Sequence, residues 1–181
     1  LEKELKKSRI TFCKILINKS KKDSKILNKK IDIKKNIIVL EKYLNFYEEI
    51  NLIYLQFIYF IKYIVLFIRE KNFYTKRFIF RSAIEFLNLS TKKNYRYALL
   101  LTKTLKIYNP DTLIITFEGF SWEKIAFKTA KKLNTKIKCI GYQHTGLTKY
   151  QNSIFKKLGN GFDPDIIWVT GKEVKKLFKQ Q

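Results

Sequence analysis

The sequence contains no methionine, one histidine, two cysteines and two prolines among its 181 residues. A single histidine and two isolated cysteines, without a CxxC pair, exclude the Cys and His ligand sets of structural zinc sites. Because Cys13 and Cys139 each lie within an apolar run, we expect two buried free thiols in a reducing compartment. Methionine is missing even at position 1, and residues 173–181 have the pattern of a helix that has only begun, so we expect a part of a longer protein.

Glycine is also scarce, and neither GxGxxG nor GxxxxGKS/T occurs among the six glycines. Both motifs bring backbone N–H groups against phosphates, and their absence argues against a dinucleotide-binding fingerprint and a P-loop. No Gly/Ser-rich linker and no internal repeat divides the chain. We therefore expect a single domain over residues 1–181.

Acidic residues are few: 15 Asp and Glu stand against 38 Lys and Arg, which gives a formal net charge of +23. Such a surface attracts polyanions, including nucleic acid, anionic lipid and phosphorylated substrates. Lys, Ile and Asn are enriched together, which is also the composition that an AT-rich genome produces without selection for binding. No nucleic-acid-binding motif accompanies the charge, so we expect affinity for anionic membrane but for no specific nucleic acid.

The first 50 residues give weak signals for regular structure. Residues 10–17 fit either a short strand or the start of a helix. Residues 36–40 form a compact β-branched run that is typical of a buried strand. We expect the Lys-rich residues 19–35 to be solvated, and residues 41–49 are compatible with the start of a helix.

A long apolar segment follows at residues 52–68, interrupted only by Gln56 and Lys62. Its length falls a little short of the roughly 20 apolar residues that a membrane span requires. A lysine near the middle of a span costs about 3 kcal/mol. We therefore expect a buried or half-buried helix. A membrane-surface helix and a true span are the alternatives, since tyrosines and basic flanks suit an interfacial position.

Two more helices are predicted before Pro110, at residues 73–88 and 95–107. The second ends at Asn109, because a residue that precedes proline disfavours the α conformation. Helical spacing marks the core candidates of the two segments, which are Phe78, Ile79, Ile84, Leu87, Leu99, Leu100, Leu101 and Leu105.

The pattern becomes clearer after Pro110, where residues 113–117 form a continuous apolar run and two further strand-like segments occur at residues 137–142 and 166–169. Short apolar runs between polar turns are typical of strands buried in a parallel sheet. Strands that alternate with helical segments predict parallel connections. We therefore expect an α/β fold, with a Rossmann-like parallel sheet flanked by helices after a helix-rich N-terminal portion, best supported over residues 111–178.

A helix is predicted between the first two of these strands. Ser121 is a suitable N-cap, Glu123 places negative charge where the helix dipole favours it, and Asn134 is a suitable C-terminal stop. A further helix is expected to begin at Gly171. One face of the first helix carries the expected core residues, which are Trp122, Ile125, Ala126, Thr129, Ala130 and Leu133.

Polar and small residues follow each of the three predicted strands directly. In an open parallel sheet, ligands bind outside the carboxyl ends of the strands, so we expect these turns to converge on one ligand site. The residues of this expected site are Glu118, Gly119, Gln143, His144, Thr145, Gly146, Thr170 and Gly171.

Three side chains near this edge each have two interpretations. Glu118 is either a site carboxylate or a solvated or helix-capping residue. His144, the only histidine, is either a structural residue or a group that binds a phosphate or hydroxyl, or acts as acid or base, near neutral pH. Trp122 either stacks on a sugar or base or packs in the core, and its place on the apolar helix face favours the core.

Three segments carry a resemblance to a known family. Residues 117–123 (FEGFSWE), 140–145 (IGYQHT) and 164–171 (PDIIWVTG) resemble segments of bacterial surface-carbohydrate biosynthesis proteins of the O-antigen and capsule type. In that family an E-x-x-x-W-E segment begins a helix, and a G-x-x-H-S/T segment ends the next strand. The likeness covers residues 73–178 and is best from Asp111 onward.

The resemblance implies a GT-B glycosyltransferase, an enzyme built from two Rossmann-like domains. This chain would be the N-terminal half, which receives a glycan or lipid-linked acceptor. A C-terminal domain beyond Gln181 would hold the nucleotide-sugar donor, and hexosyl transfer would proceed without a metal or another cofactor. Matching positions make Glu118 and His144 the candidates for activating an acceptor hydroxyl. The implied substrate contacts are Gly119, Trp122, Glu123, Gln143, Thr145, Gly146, Thr170 and Gly171.

One departure from the family pattern concerns Phe120 and Ser121, which stand where more polar residues are expected. The same resemblance predicts a cytoplasmic protein, peripheral at the inner face of the cytoplasmic membrane. Two other functions stay open. One is a non-catalytic membrane-associated scaffold, and the other is a basic nucleic-acid-binding protein, which charge alone suggests.

Overall fold

The structure is a computed structural model that describes residues 13–17, 37–40, 44–144 and 152–179. Inter-residue contacts group the chain into two compact units, Leu1–Glu49 and Ile50–Gln181. This grouping of contacts does not test the prediction of one domain over residues 1–181, which stays a prediction.

In the first unit, strands β1 (Lys14–Ile17) and β2 (Ile37–Leu40) form a two-stranded parallel sheet. The strand predicted at residues 36–40 is thus confirmed over Ile37–Leu40, and within residues 10–17, for which strand and helix were both open, Lys14–Ile17 form a strand. Residues 10–12 and residue 36 lie outside the described part of the chain. The prediction that Cys13 is buried is wrong, since it is exposed just before β1. The expectation for residues 19–35 lies outside the described part of the chain.

Three helices follow: α1 (Phe46–Arg69), α2 (Phe73–Leu87) and α3 (Leu89–Tyr108). Asparagine side chains cap the amino ends of α2 and α3. The Asn72 side chain accepts the Thr75 backbone N–H at 3.0 Å, and Asn88 accepts that of Ser90 at 3.0 Å. The predicted stop at Asn109 is confirmed, because this residue adopts a left-handed φ of 37° and ends α3.

Helix α1 confirms the helix predicted at residues 52–68, but the prediction of a buried or half-buried helix is wrong, because α1 is mostly exposed. Only Leu52 and Gln56 are buried, and most of its large apolar side chains are exposed. By length and composition alone, α1 is the one helix of the described residues that could cross a membrane.

Helix α1 packs on α2 through aromatic side chains. Phe86 stacks on Tyr59 with ring centroids 5.4 Å apart, and Phe67 contacts Phe80 at 5.2 Å. The buried Gln56 amide donates to the Phe86 carbonyl at 2.5 Å. Phe86 lies in the last turn of α2, where backbone carbonyls have no hydrogen-bond partner within the helix. These contacts fix which face of α2 is turned inward.

That inward face differs from the predicted one, because Ala83 is the residue that α2 buries. Its small side chain lies at helical spacing from Phe80 and Phe86, the residues that meet α1. Of the predicted core residues, Phe78, Ile84 and Leu87 are exposed and Ile79 is half-buried. In α3, burial of Leu100, Leu101 and Leu105 is confirmed, whereas Leu99 is exposed.

The predicted parallel sheet is present, with strands β3 (Thr112–Thr116), β4 (Lys138–Gln143) and β5 (Ile166–Val169). β4 lies between the other two, and both pairs are parallel. Helix α4 (Ser121–Leu133) connects β3 to β4, and α5 (Lys172–Lys179) follows β5.

Helix α4 covers one face of the sheet with a face other than the one predicted. Phe127, absent from the predicted face, is fully buried and meets the buried Phe117 edge-on at 5.8 Å. Ala126 and Ala130 are buried as predicted, but Trp122, Ile125 and Thr129 are half-buried and Leu133 is exposed. The described chain is therefore a helix-rich α/β protein with a small three-stranded parallel sheet flanked by helices.

Candidate functional site

The strand register places the carboxyl ends of the three strands at one edge of the sheet. Thr116 pairs with Tyr142, and Tyr142 pairs with Trp168. Two residues further on, at the carboxyl ends, Glu118, His144 and Thr170 continue these three chains. Neighbouring strands lie about 4.8 Å apart, so the three chains leave the sheet side by side at this edge.

The turn that follows β3 is held by the carboxylate of Glu123. One oxygen, Oε2, accepts the backbone N–H groups of both Glu118 and Phe120 at 2.9 Å. Helix α4 therefore begins at Ser121 with Phe120 as its N-cap, and the predicted Ser121 N-cap is wrong by one residue. Phe120 has no side-chain acceptor, so Glu123 performs the capping from inside the first turn.

Glu123 is almost completely buried, with 1% of its surface exposed. Burial raises the pKa of its carboxyl above the ordinary value, and the nearby Glu118 charge adds to this rise. The backbone N–H groups of Glu118, Phe120 and Gly119 act in the opposite direction without cancelling it. The Glu123 carboxylate thus holds the turn at residues 118–120 through two hydrogen bonds. A substrate contact by Glu123 stays a prediction.

Gly119 lets this turn approach the short 3-10 turn at Asn152–Ile154. Its φ is +84°, and a Cβ there would lie 2.6 Å from the Ser153 carbonyl oxygen and overlap the Ile154 backbone nitrogen. The Ser153 hydroxyl donates to the Glu118 carbonyl at 3.2 Å, which joins the two turns. Only glycine satisfies both the left-handed backbone and the close approach.

His144 lies exposed just beyond β4, with its ring stacked on that of Tyr142 at 5.9 Å and 16° between planes. Residues two apart share a face of a strand. Tyr142 is half-buried and Trp168 is 39% exposed on the neighbouring strand. Sequence reasoning missed both aromatic residues, although period-two spacing from His144 and Thr170 is the signal that places them on this face.

The remaining predicted residues of β4 and β5 are placed as follows. Gln143 is fully buried, on the sheet face opposite to His144. The Thr170 backbone N–H and hydroxyl both donate to the Gln143 carbonyl at 3.3 Å. Gly171 has a φ of +92° in open space before α5. Thr145 and Gly146 lie outside the described residues.

Helix α4 also holds the segment before β5, an arrangement that sequence reasoning missed. The buried Lys124 donates to Asp163 at 3.0 Å and to the Lys156 carbonyl at 2.7 Å. Lys131, about two helical turns further along, donates to Asp165 at 2.5 Å. The signal was available: lysines at helical spacing in one segment and an Asp-Pro-Asp sequence in another. We call these two ion pairs the α4 clamp.

The α4 clamp shifts the ionisation of its carboxylates. Burial acts to raise the pKa of Asp163, but the backbone N–H of Gly159 and the Lys124 ammonium outweigh it and lower the pKa below 3.8. Asp165 behaves likewise, because Lys131 and the Cys139 backbone N–H outweigh its burial and lower its pKa. Both carboxylates hold the chain in place at the amino end of β5, which is the sheet edge opposite to His144.

Cys139 is buried in the middle strand, as predicted. Burial raises the pKa of its thiol to about 11, an effect that Asp165 reinforces and Lys131 opposes. At neutral pH the thiol is therefore protonated and a poor nucleophile. It packs in the core and takes no part in the chemistry of the site.

Among the described residues, no group of three or more His, Cys, Asp or Glu is placed to hold a metal ion. Two surface cavities of about 370 and 280 Å³ occur away from the strand ends, one between α1, α2 and α3 and the other near Pro110 and Ile137. The groups available at the strand ends are thus a carboxylate, an imidazole, a hydroxyl and two aromatic rings.

Models of known protein families, curated proteins and solved structures were each compared with the chain, and none of the three comparisons gave a match. The assignment of function therefore depends on the residues and geometry of the strand ends.

Proposed function

We propose that this chain is the acceptor-binding half of a GT-B glycosyltransferase of bacterial surface-polysaccharide biosynthesis. The observation that supports it most is the common row of Glu118, His144 and Thr170 at the carboxyl ends of three neighbouring parallel strands. The resemblance of residues 117–123 and 140–145 to that family gives the row its chemical interpretation. A second domain would supply the nucleotide-sugar donor.

In this proposal, His144 or Glu118 is the general base of the transfer. The base removes the proton of an acceptor hydroxyl while the hydroxyl oxygen bonds to the anomeric carbon of the donor sugar. The bond between that carbon and the nucleotide diphosphate breaks, and the diphosphate leaves with the electron pair. His144 is suited to this role because it is exposed and oriented by its stacking on Tyr142.

The aromatic rings beside His144 give the acceptor a place to lie. The apolar C–H face of a sugar ring packs on an aromatic face, and Trp168 and Tyr142 are both accessible on the sheet face that carries His144. Trp122 is half-buried at the start of α4. We therefore assign acceptor stacking to Trp168 in preference to Trp122.

The test separates binding from chemistry. Acceptor binding to the chain is measured by saturation-transfer NMR with a panel of monosaccharides and short-chain lipid-diphosphate saccharides. Transfer is measured with the donor domain present and a panel of radiolabelled nucleotide sugars. We expect His144→Ala or Glu118→Ala to lower kcat by at least about 100-fold, the range of a lost general base. Trp168→Ala should instead weaken acceptor binding about tenfold.

The matched control is Asp111→Ala, which removes an exposed carboxylate at the opposite edge of the sheet. It should leave both binding and transfer within twofold of the parent protein. If both His144→Ala and Glu118→Ala transfer sugar at the parent rate, the site assignment is wrong. If the parent neither binds a saccharide nor transfers one from any donor, the glycosyltransferase proposal fails and a non-catalytic role takes its place.

A further inference from the structure

Helix α1 carries a continuous apolar stripe on the side that faces away from α2. Its six residues are all large and at least 39% exposed, and not one of them is charged. They recur at helical spacing over five turns, from the first to the last about 27 Å along the axis. We call this set the α1 stripe; its members are Ile50, Tyr54, Phe57, Ile61, Val65 and Ile68.

The position of the α1 stripe follows from 100° of rotation per residue. The side of α1 that packs inward contains Leu52, Gln56 and Tyr63, of which the first two are buried and the third contacts Phe86. The stripe is centred on the opposite side of the helix. A core helix would bury an apolar surface of this kind, so the exposed stripe requires a partner.

Charge favours an anionic partner. The α1–α2 hairpin, residues 46–87, has six basic residues and four acidic ones, in a chain of net charge +23. Lys62 and Arg69 lie about 100° from the middle of the stripe, on one flank, with their side chains exposed. Basic side chains that border an apolar helix face are the pattern of helices that lie in a lipid headgroup region.

We propose that the α1 stripe docks in the interfacial region of an anionic lipid bilayer, with α1 parallel to the membrane plane. Apolar side chains of the stripe enter the boundary between headgroups and acyl chains. Lys62 and Arg69 extend along the flank to lipid phosphates. This orientation keeps the Lys62 ammonium in the polar region, whereas a spanning α1 would carry it into the hydrocarbon. The inference does not depend on the proposed sugar transfer.

Flotation of the whole chain with lipid vesicles tests the proposal. The vesicles contain phosphatidylcholine and phosphatidylglycerol at 3:1, with pure phosphatidylcholine for comparison, in 150 mM salt. A +23 chain binds anionic vesicles by charge alone, so the discriminating variant is Phe57→Ser/Ile61→Ser. Loss of two apolar side chains that would be buried in the lipid should lower the partition coefficient at least about tenfold on anionic vesicles.

The matched control is Ile107→Ser/Tyr108→Ser, which removes one aliphatic and one aromatic residue that are exposed at the end of α3. Its partition coefficient should stay within threefold of the parent, and circular dichroism should show the same helix content in all three proteins. Equal flotation of the parent and Phe57→Ser/Ile61→Ser would show that charge alone causes binding and would overturn the proposal.

Two other outcomes would also overturn it. Resistance to extraction at pH 11 would indicate a helix that spans the bilayer, whereas extraction supports the interfacial position. A parent chain that is dimeric in solution, that fails to float, and that becomes monomeric in Phe57→Ser/Ile61→Ser would show that a second copy covers the stripe. Size-exclusion chromatography with light scattering, run without lipid, makes this distinction.

Discussion

Gly119 and Gly171 both have left-handed φ values, +84° and +92°, but only Gly119 is crowded. An alanine at either position carries a backbone penalty of about 1–2 kcal/mol. Gly119→Ala also forces a Cβ into the backbone of Ser153 and Ile154, which adds about 1–3 kcal/mol. We expect urea unfolding to show a loss of about 3 kcal/mol for Gly119→Ala and about 1 kcal/mol for Gly171→Ala. Equal losses would mean that the turns at 119 and 153 are not in contact.

Glu123 gives a second prediction at the level of single residues. Glu123→Ala leaves the backbone N–H groups of Glu118 and Phe120 without their acceptor, which should cost about 2–4 kcal/mol in urea unfolding. Glu123→Gln keeps one acceptor oxygen and is the matched control, with a smaller loss.

The pH dependence of Glu123 sharpens the comparison. Because burial raises the pKa of Glu123 in the folded chain, its ionised form opposes folding at pH 7, and this penalty is relieved as the pH falls through the raised pKa toward 4.5. The loss caused by Glu123→Gln should therefore be smaller at pH 7 than at pH 4, below the ordinary pKa of the carboxyl. A loss that is independent of pH would contradict the raised pKa.

Residue patterns predicted the three strands whose ends form the candidate site, but not the contacts that its residues make. Short apolar segments located the three strands, and parallel pairing places the strand ends that precede Glu118 and His144 at the same edge. The burial of Glu123 was not predictable, because a glutamate in a first helical turn is usually solvated. Its contacts depend on the path of residues 117–120 in three dimensions.

At the level of elements, helices and strands were predictable where local signals are strong. Asn-Pro at residues 109–110 ended α3, and apolar runs marked β3 to β5. Helix faces were harder to predict, since α1, α2 and α4 are apolar on more than one side. Which side is buried depends on the neighbour, as Ala83 in α2 and Phe127 in α4 illustrate.

The α4 clamp leads to a prediction about acid stability. Asp163 and Asp165 have pKa values below 3.8 in the folded chain, so the unfolded chain binds protons more readily. The stability that these carboxylates contribute is fully present above about pH 4 and is lost as the pH falls through their lowered folded pKa values. Urea unfolding from pH 5 to pH 2 should therefore show a smaller loss of stability in Asp163→Asn/Asp165→Asn than in the parent.

The two clamp pairs should contribute unequally to that loss. Lys124 and Asp163 have only 7% and 22% of their side-chain surfaces exposed, whereas Asp165 is 41% exposed. At pH 7, Asp163→Ala leaves the buried Lys124 ammonium without its carboxylate and should cost about 3 kcal/mol. Asp165→Ala should cost less because solvent screens its pair. A larger loss for Asp165→Ala would reverse the order that burial predicts.

At the level of the whole molecule, a net charge of +23 in 181 residues opposes the compact state through self-repulsion. Salt screens repulsion between exposed charges more than it screens the buried Lys124–Asp163 pair, because the Debye length falls to about 8 Å at physiological ionic strength. The repulsion therefore weakens more than the clamp does. We expect the thermal midpoint to rise by several degrees between 20 and 300 mM salt, as measured by circular dichroism.

The same net charge determines how strongly the molecule binds polyanions. Retention on heparin or DNA should fall steeply with salt and should not depend on sequence, because the attraction comes from charge that is distributed along the chain. Part of the binding to anionic vesicles should persist at 500 mM salt. The α1 stripe would bury apolar side chains in the lipid, and salt does not screen this contribution. If vesicle binding and heparin retention disappear at the same salt concentration, charge explains both, and the α1 stripe has no affinity for lipid of its own.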